Sequence, residues 1–158
     1  MIMQGYYDIA QICLNGHVIN SSSKECPQNN KDFCPFCGEK TITECPSCRV
    51  SIQGCYHGVL VAGLDNAPAF CHSCGKAYPW TESKIQTAIQ IFAEFGGLDD
   101  GEKRTIENDI RNIARDVPQG ELSAMRIKKI WQKYGKIAYN VIMEFASKTA
   151  AEILKHPE

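Results

Sequence analysis

Two hydrophobic patterns divide this chain. From residue 81 onward, apolar side chains recur three and four positions apart, the spacing that lines one face of an α-helix. Ile85, Ala88, Ile89, Phe92 and Phe95 form a first stripe, which stops at Gly96-Gly97. Thr81 stands where an N-cap is expected. Asp99 and Glu102 have the spacing of a capping box and open a second helix. Its stripe is Ile106, Ile110, Ile113 and Val117, and Pro118 and Gly120 end it. A third periodic stretch starts near Leu122 or Ser123 and runs close to Lys155, with Ile127, Ile130, Trp131, Tyr134, Ala138, Val141, Ile142 and Phe145 on its apolar side. Gly135 either splits this stretch or bends it. The pattern predicts three or four amphipathic helices, which can bury their stripes on each other, on the first half, or on a second copy in a homo-oligomer.

Residues 1–80 follow another rule. Short apolar pieces alternate with Gly, Pro, Asn and Ser, so the expected elements are brief strands and turns. Val18-Ile19 and Phe33 flank one expected hairpin. Val50-Ser51-Ile52 and residues 58–61 read as strands of a second, with Gly63 and Asp65-Asn66 in turns. A half with so few aliphatic residues has a thin core and needs covalent or metal staples. The boundary falls near Pro79-Trp80-Thr81, giving domains 1–80 and 81–158.

Nine cysteines supply the staples, all before residue 75. Four ligand-like pairs occur in order: Cys13 with His17, Cys34 with Cys37, Cys45 with Cys48, and Cys71 with Cys74. The last three repeat one unit, Cys-x2-Cys, whose turn brings two thiolates to one ion while backbone amides face the sulfurs. Glycine after the second cysteine tightens the turn at positive φ, and proline after the first pre-sets it. Eight such ligands make two closed tetrahedral sites, the composition of two structural zinc ions. A closed site has no open position for water or substrate, so no enzymatic activity is expected. Pairs in sequential order give the zinc-ribbon plan and the least loop entropy. A cross-brace joins the first pair to the third and the second to the fourth. A third plan joins the two central pairs and leaves the outer two to meet across the chain.

The remaining cysteines have plainer roles. Cys26, in a Ser/Asn/Gln-rich loop, is expected to be a free surface thiol, and Cys55 a small buried hydrophobe. His57 and His72 neighbour the ligands; they are expected to pack beside them or hydrogen-bond to them, with replacement of an assigned ligand as the alternative. Cys55 and His57 share one face of a strand, yet no Asp accompanies them in the sequence as a nucleophile pair would need.

Composition narrows the classes further. With 44% hydrophobic residues the 158-residue chain is not disordered. The formal net charge of −1 excludes a strongly basic, histone-like binder. Residues 1–80 hold five basic and six acidic residues, and 81–158 hold twelve of each. Seven thiolates against two doubly charged ions bring the metallated first half to about −4, the wrong sign for phosphate. Any nucleic-acid contact is therefore expected on Arg126, Lys128, Lys129, Lys133 and Lys136, spaced to form a basic helical ridge beside Trp131 and Tyr134. The N-terminus lacks a basic stretch followed by an apolar one, and residues 137–154 are interrupted by Glu144, Lys148 and Glu152. A soluble, cytoplasmic protein with reduced thiols is expected.

Cys13-x-Asn15-Gly16-His17, then Phe33-Cys34-x-x-Cys37-Gly38, Cys45-Pro46-x-Cys48 and Cys71-x-x-Cys74-Gly75, with Pro79-Trp80-Thr81 close behind, resembles an uncharacterised bacterial tandem zinc-ribbon family. Residues 145–154 also look like the end of such proteins, so the resemblance covers most of the chain. It implies tandem zinc binding in a bacterial cytosolic protein and supplies no activity. The fold expected is a small metal-stabilised β module of tandem zinc ribbons followed by helices, α+β overall. The leading functional reading is a non-catalytic scaffold for a protein partner. The alternatives are nucleic-acid binding on the basic ridge and a thiol redox switch that ejects zinc on oxidation.

Overall fold

The computed structural model describes residues 4–58 and 60–156, which form a small β-rich part followed by five α-helices, α+β overall. The chain divides into two compact units, Met1–Thr81 and Glu82–Glu158.

In the first unit the strands are short, and none pairs with its immediate successor for long. Strands β2 (Gln11–Cys13), β3 (Val18–Asn20) and β4 (Thr41–Ile42) make a three-stranded sheet in the order β3-β2-β4. Strands β1 (Tyr6–Ile9) and β5 (Gln53–His57) pair antiparallel across a register shift between Tyr7 and Ile9. The second expected hairpin is therefore not the one formed. Val50-Ser51-Ile52 contributes a single bridge, Glu44 with Ser51, and the strand that follows turns back to the N-terminal segment. Gly58, Leu60 and Val61 lie outside any strand, and Val59 lies outside the described residues. Backbone bonds explain the choice. Ile52 donates to the Thr43 carbonyl, Ala10 donates to Ile52, and Cys55 donates to Ser21, so residues 52–55 are claimed from three directions.

One core holds this unit together. Ala10, Ile12, Ile52, Tyr78 and Trp80 are buried with the sulfur-bearing Cys45 and Cys71, and Val18, Ile42, Val50, Leu64 and Ala67 pack against them. Tyr78 and Trp80 stack at 4.7 Å. The Trp80 indole N–H donates to the Pro68 carbonyl at 2.8 Å. The Trp80 ring also lies against Gly16, where a Cβ would come within 3.0 Å.

A second anchor is Asp8, buried beside the β1–β5 pair. Its carboxylate accepts N–H bonds from Ile9, Lys24 and Glu25. Burial alone would raise its pKa, but these three donors and the nearby His57 outweigh burial and hold the carboxyl below its ordinary value.

Helix α1 (Pro79–Glu94) begins in the last three residues of the first unit and runs on in the second; it starts three residues earlier than an N-cap at Thr81 would place it. Pro79 takes the first helical turn, where its missing N–H costs nothing, and Thr81 lies inside the helix. Helix α2 (Asp100–Ile113) opens on the Asp99–Glu102 capping box: the Glu102 backbone N–H donates to Asp99 at 2.8 Å, and the Asp99 N–H donates back at 3.0 Å. Asp99→Ala is expected to cost about 1 kcal/mol and to lower the thermal midpoint of this unit by about 5 °C, measured as loss of helical ellipticity.

Ile106, Ile110 and Ile113 are buried, whereas Val117 is exposed and precedes α3 (Pro118–Tyr134). Pro118 starts that helix rather than ending the one before, so the third stretch begins earlier than Leu122. The stretch breaks twice, giving α4 (Tyr139–Phe145) and α5 (Lys148–Lys155). Gly135 at φ +87° and Ala138 at φ +55° make the first break, and Ser147, which accepts the Ala150 N–H, caps the start of α5. Among the described residues no helix is long and apolar enough to cross a membrane.

Candidate metal centres

Each Cys-x2-Cys pair folds by the same bonds. The first cysteine donates its N–H five residues ahead, and its carbonyl accepts an N–H four residues ahead. Cys34 thus pairs with Glu39 and Gly38, Cys45 with Val50 and Arg49, and Cys71 with Lys76 and Gly75, all at 2.8–2.9 Å. A bridge flanks each turn in the same register: Phe33 with Lys40, Glu44 with Ser51, Phe70 with Ala77. In every pair the first cysteine is buried and the second exposed.

The turn closes through a left-handed residue just after the second cysteine. Gly38 and Gly75 occupy it at φ +71° and +70°, and Arg49 occupies it at +64° in the central pair. A side chain there costs about 1 kcal/mol. Gly75→Ala meets no atom within 4 Å, so its cost is confined to the backbone. Because folding and metal binding are coupled in such a turn, Gly75→Ala should weaken retention of the ion about fivefold in competition with a chelator. Arg49→Gly should leave it unchanged or slightly tighter, since relief of strain is offset by added freedom in the unfolded chain.

Two groups of four result. Cys13, His17, Cys34 and Cys37 bring their ligand atoms within 4.8 Å of one another, and so do Cys45, Cys48, Cys71 and Cys74. These are the pairs taken in sequential order. The Cys13 and Cys37 sulfurs are 3.8 Å apart, and His17 Nδ1 is 3.4 Å from Cys13 and 3.5 Å from Cys34. In the second group Cys45 and Cys74 are 3.8 Å apart, and Cys48 and Cys71 3.7 Å. A disulfide holds sulfurs at about 2.0 Å, so none of these pairs is one. Each group can hold a metal ion.

Backbone and amide donors prepare the sulfurs. The Glu39 backbone N–H and the Asn15 side chain, 3.4 Å away, hold the Cys37 thiol down to about 6. Backbone N–H groups of Cys74 and Ser73 do the same for Cys71, also to about 6. Cys48 receives the Val50 N–H, which favours its thiolate. Desolvation and the sulfurs of Cys74, Cys71 and Cys45 outweigh that bond and push the thiol up to about 11. In the first group Cys13 is pushed up, by burial first and by the sulfurs of Cys34 and Cys37 after it, so in each group one thiol ionises readily while another resists. A bound cation removes that resistance. Tyr78, buried and hydrogen-bonded to Cys71, is raised by burial first and by that bond second.

The other named residues lie elsewhere. Cys26 is partly exposed beside a 3-10 turn, and Cys55 is buried in β5. His72 is exposed on the last knuckle. His57 stacks on Tyr6 at 5.1 Å, and its Nε2 is 3.8 Å from the Asp8 carboxylate. An Asp does therefore accompany Cys55 and His57, brought from β1 by a strand pairing that local spacing does not reveal. Its oxygens are taken by three backbone N–H groups, and Cys55 is 5% exposed with its thiol toward the Tyr56 carbonyl.

The basic ridge is not continuous. Arg126 is drawn to the buried Asp109 at 3.3 Å, alongside the Ser123 hydroxyl that donates to the same oxygen at 2.7 Å. Arg126 and Lys129 line a cavity against α2, and Lys128 and Lys136 line one against α5. Lys136 follows the end of α3 and sits over the Tyr139 ring, as Lys133 sits over Tyr134, both at 4.6 Å.

The model of a bacterial family described as "uncharacterized protein conserved in bacteria" (DUF2321) matches residues 6–156, and the chain belongs to that family. No curated protein and no solved structure matches it.

Proposed function

We propose that the first unit is a non-catalytic interaction module whose rigidity comes from two structural zinc ions. The observation that carries this reading is the size of the two ligand groups. A tetrahedral zinc with bonds of about 2.3 Å to sulfur and about 2.0 Å to nitrogen separates sulfurs by about 3.8 Å and sulfur from nitrogen by about 3.5 Å. Three sulfur pairs, Cys13–Cys37, Cys45–Cys74 and Cys48–Cys71, stand at 3.7–3.8 Å, the two short sulfur–nitrogen distances are 3.4 and 3.5 Å, and all ligand atoms of a group lie within 4.8 Å of one another. Each group supplies four ligands, which fills the coordination of zinc and reserves no position for a reacting water. The ion's role is then folding energy.

What the module offers a partner is apolar surface that its own core leaves out. Phe33 and Phe36 are 63% and 76% exposed around the second knuckle, and Leu60 and Val61 are 81% and 70% exposed in the loop after β5. Large side chains held on a rigid scaffold lose little entropy on binding, which makes them effective anchors. A photo-crosslinking residue placed at Phe36 is expected to yield a discrete protein adduct in cells, and chelation of the purified protein should abolish the same adduct with the isolated partner. The reading fails if the metal-loaded protein shows turnover that a single substitution abolishes with metal content intact.

A further inference from the structure

Two cavities of about 270 and 290 Å³ lie side by side between α3 and α5 and share Lys128, Gln132 and His156 as lining. Together they make one trough that runs along α3 from Met125 to the helix end at Tyr134, about 14 Å at the helical rise, and on to Lys136 just beyond it. Its floor is apolar, formed by Met125, Trp131, Ile153 and Leu154. The Trp131 indole N–H is already given to the Ile137 carbonyl at 2.8 Å, so this side chain offers a ligand ring surface and no donor. The rim is cationic. Lys128, Lys129 and Lys136 have no carboxylate partner among the described residues, and Lys155 shares Glu152 with His156 at 3.7 and 3.8 Å. No acidic residue lines either cavity among the described residues.

We propose that this trough binds a single-chain amphiphilic anion, an alkyl or acyl chain ending in a phosphate or carboxylate. The apolar floor takes the chain and the unpaired lysines take the head group. The dimensions fall in the range of small-ligand sites. A polynucleotide fits less well, because Trp131, the aromatic ring that lines the trough, is 6% exposed, and Tyr134 and Tyr139 are half-buried outside it with Lys133 and Lys136 over one face of each, which leaves little ring surface on which bases can stack. A membrane surface fits less well because Trp131 and Leu154 are 6% and 3% exposed and Ile153 is half-buried, which leaves Met125 as the one exposed apolar side chain of the trough to insert.

The test is calorimetric titration of the full metal-loaded chain with dodecyl phosphate below its micellar concentration. One molecule per chain is expected. Lys128→Glu should weaken binding at least about tenfold, the worth of one charge-assisted contact, and, independently, Met125→Glu, which puts a like charge on the apolar floor, should weaken it by a similar factor. Arg104→Glu, away from the trough, should not change it. Helical ellipticity confirms that each variant folds. Equal binding of dodecyltrimethylammonium, equal binding by both trough variants, or binding only to phosphatidylglycerol vesicles overturns the proposal. So does displacement of dodecyl phosphate by a thymidine oligonucleotide.

Discussion

Cys71→Ser is expected to lose metal from both groups, although Cys71 is a ligand of only one. Removing a buried thiolate first undoes its own group, where a bound structural zinc, as proposed, would supply about 10–16 kcal/mol of folding energy. The damage then spreads through shared packing. Cys45 and Cys71 are members of the core that also holds Ile12, the neighbour of Cys13, and Trp80, which lies against Gly16 between Cys13 and His17. Loss of the second ion thus leaves the first without its support. Amide spectra should lose dispersion for residues 4–81 while the helices from Glu82 onward keep theirs, since the two units are separately compact. Cys26→Ser is the control, because Cys26 belongs to neither group, and it should retain both ions. Full-affinity retention of the first ion in Cys71→Ser would show that the two groups fold independently.

Trp80→Ala should cost about 3–5 kcal/mol, among the largest effects available without touching a ligand. The indole is 4% exposed, stacks on Tyr78, bonds the Pro68 carbonyl and closes over Gly16. Removing it opens a cavity in the core and frees the loop that carries His17. Trp80→Phe keeps most of the packing and loses one hydrogen bond, about 1 kcal/mol. Chelator competition on the three proteins should therefore rank wild type, Phe and Ala in order of decreasing retention at both sites. A variant that weakens only the second site would limit Trp80 to that site.

How much of this was legible in the sequence follows from how local each feature is. The ligand groups depend on spacings of three and four residues and on turn glycines, so they could be read directly. The choice among pairings rested on loop entropy, and the geometry matches the sequential one. The capping box of α2 was equally local. The β1–β5 pairing was not, because it spans more than forty residues and Gln53-Gly54-Cys55-Tyr56-His57 shows no clean alternation. The placing of Asp8 against His57 depends on that pairing and was hidden with it. In the helical half the stripes match the buried faces except at Val117, which is exposed, but the helix ends do not match. Pro79 and Pro118 start helices, whereas the local pattern points to Thr81 as a cap and to Pro118 as a stop. The break at Ala146-Ser147 was missed because the apolar period runs on through Phe145, Ala150 and Leu154. The ridge from Arg126 to Lys136 assumed one unbroken helix, and Gly135 ends it.

The most direct test of the central claim is native mass spectrometry of the intact chain purified under reducing conditions, with and without chelator. Two zinc ions per chain are expected, with thiol protons displaced and no disulfide, and chelation should remove both together with the compact charge-state distribution of the first unit. A folded chain carrying no metal, or one whose Cys34/Cys37 and Cys71/Cys74 pairs are oxidised, would contradict it.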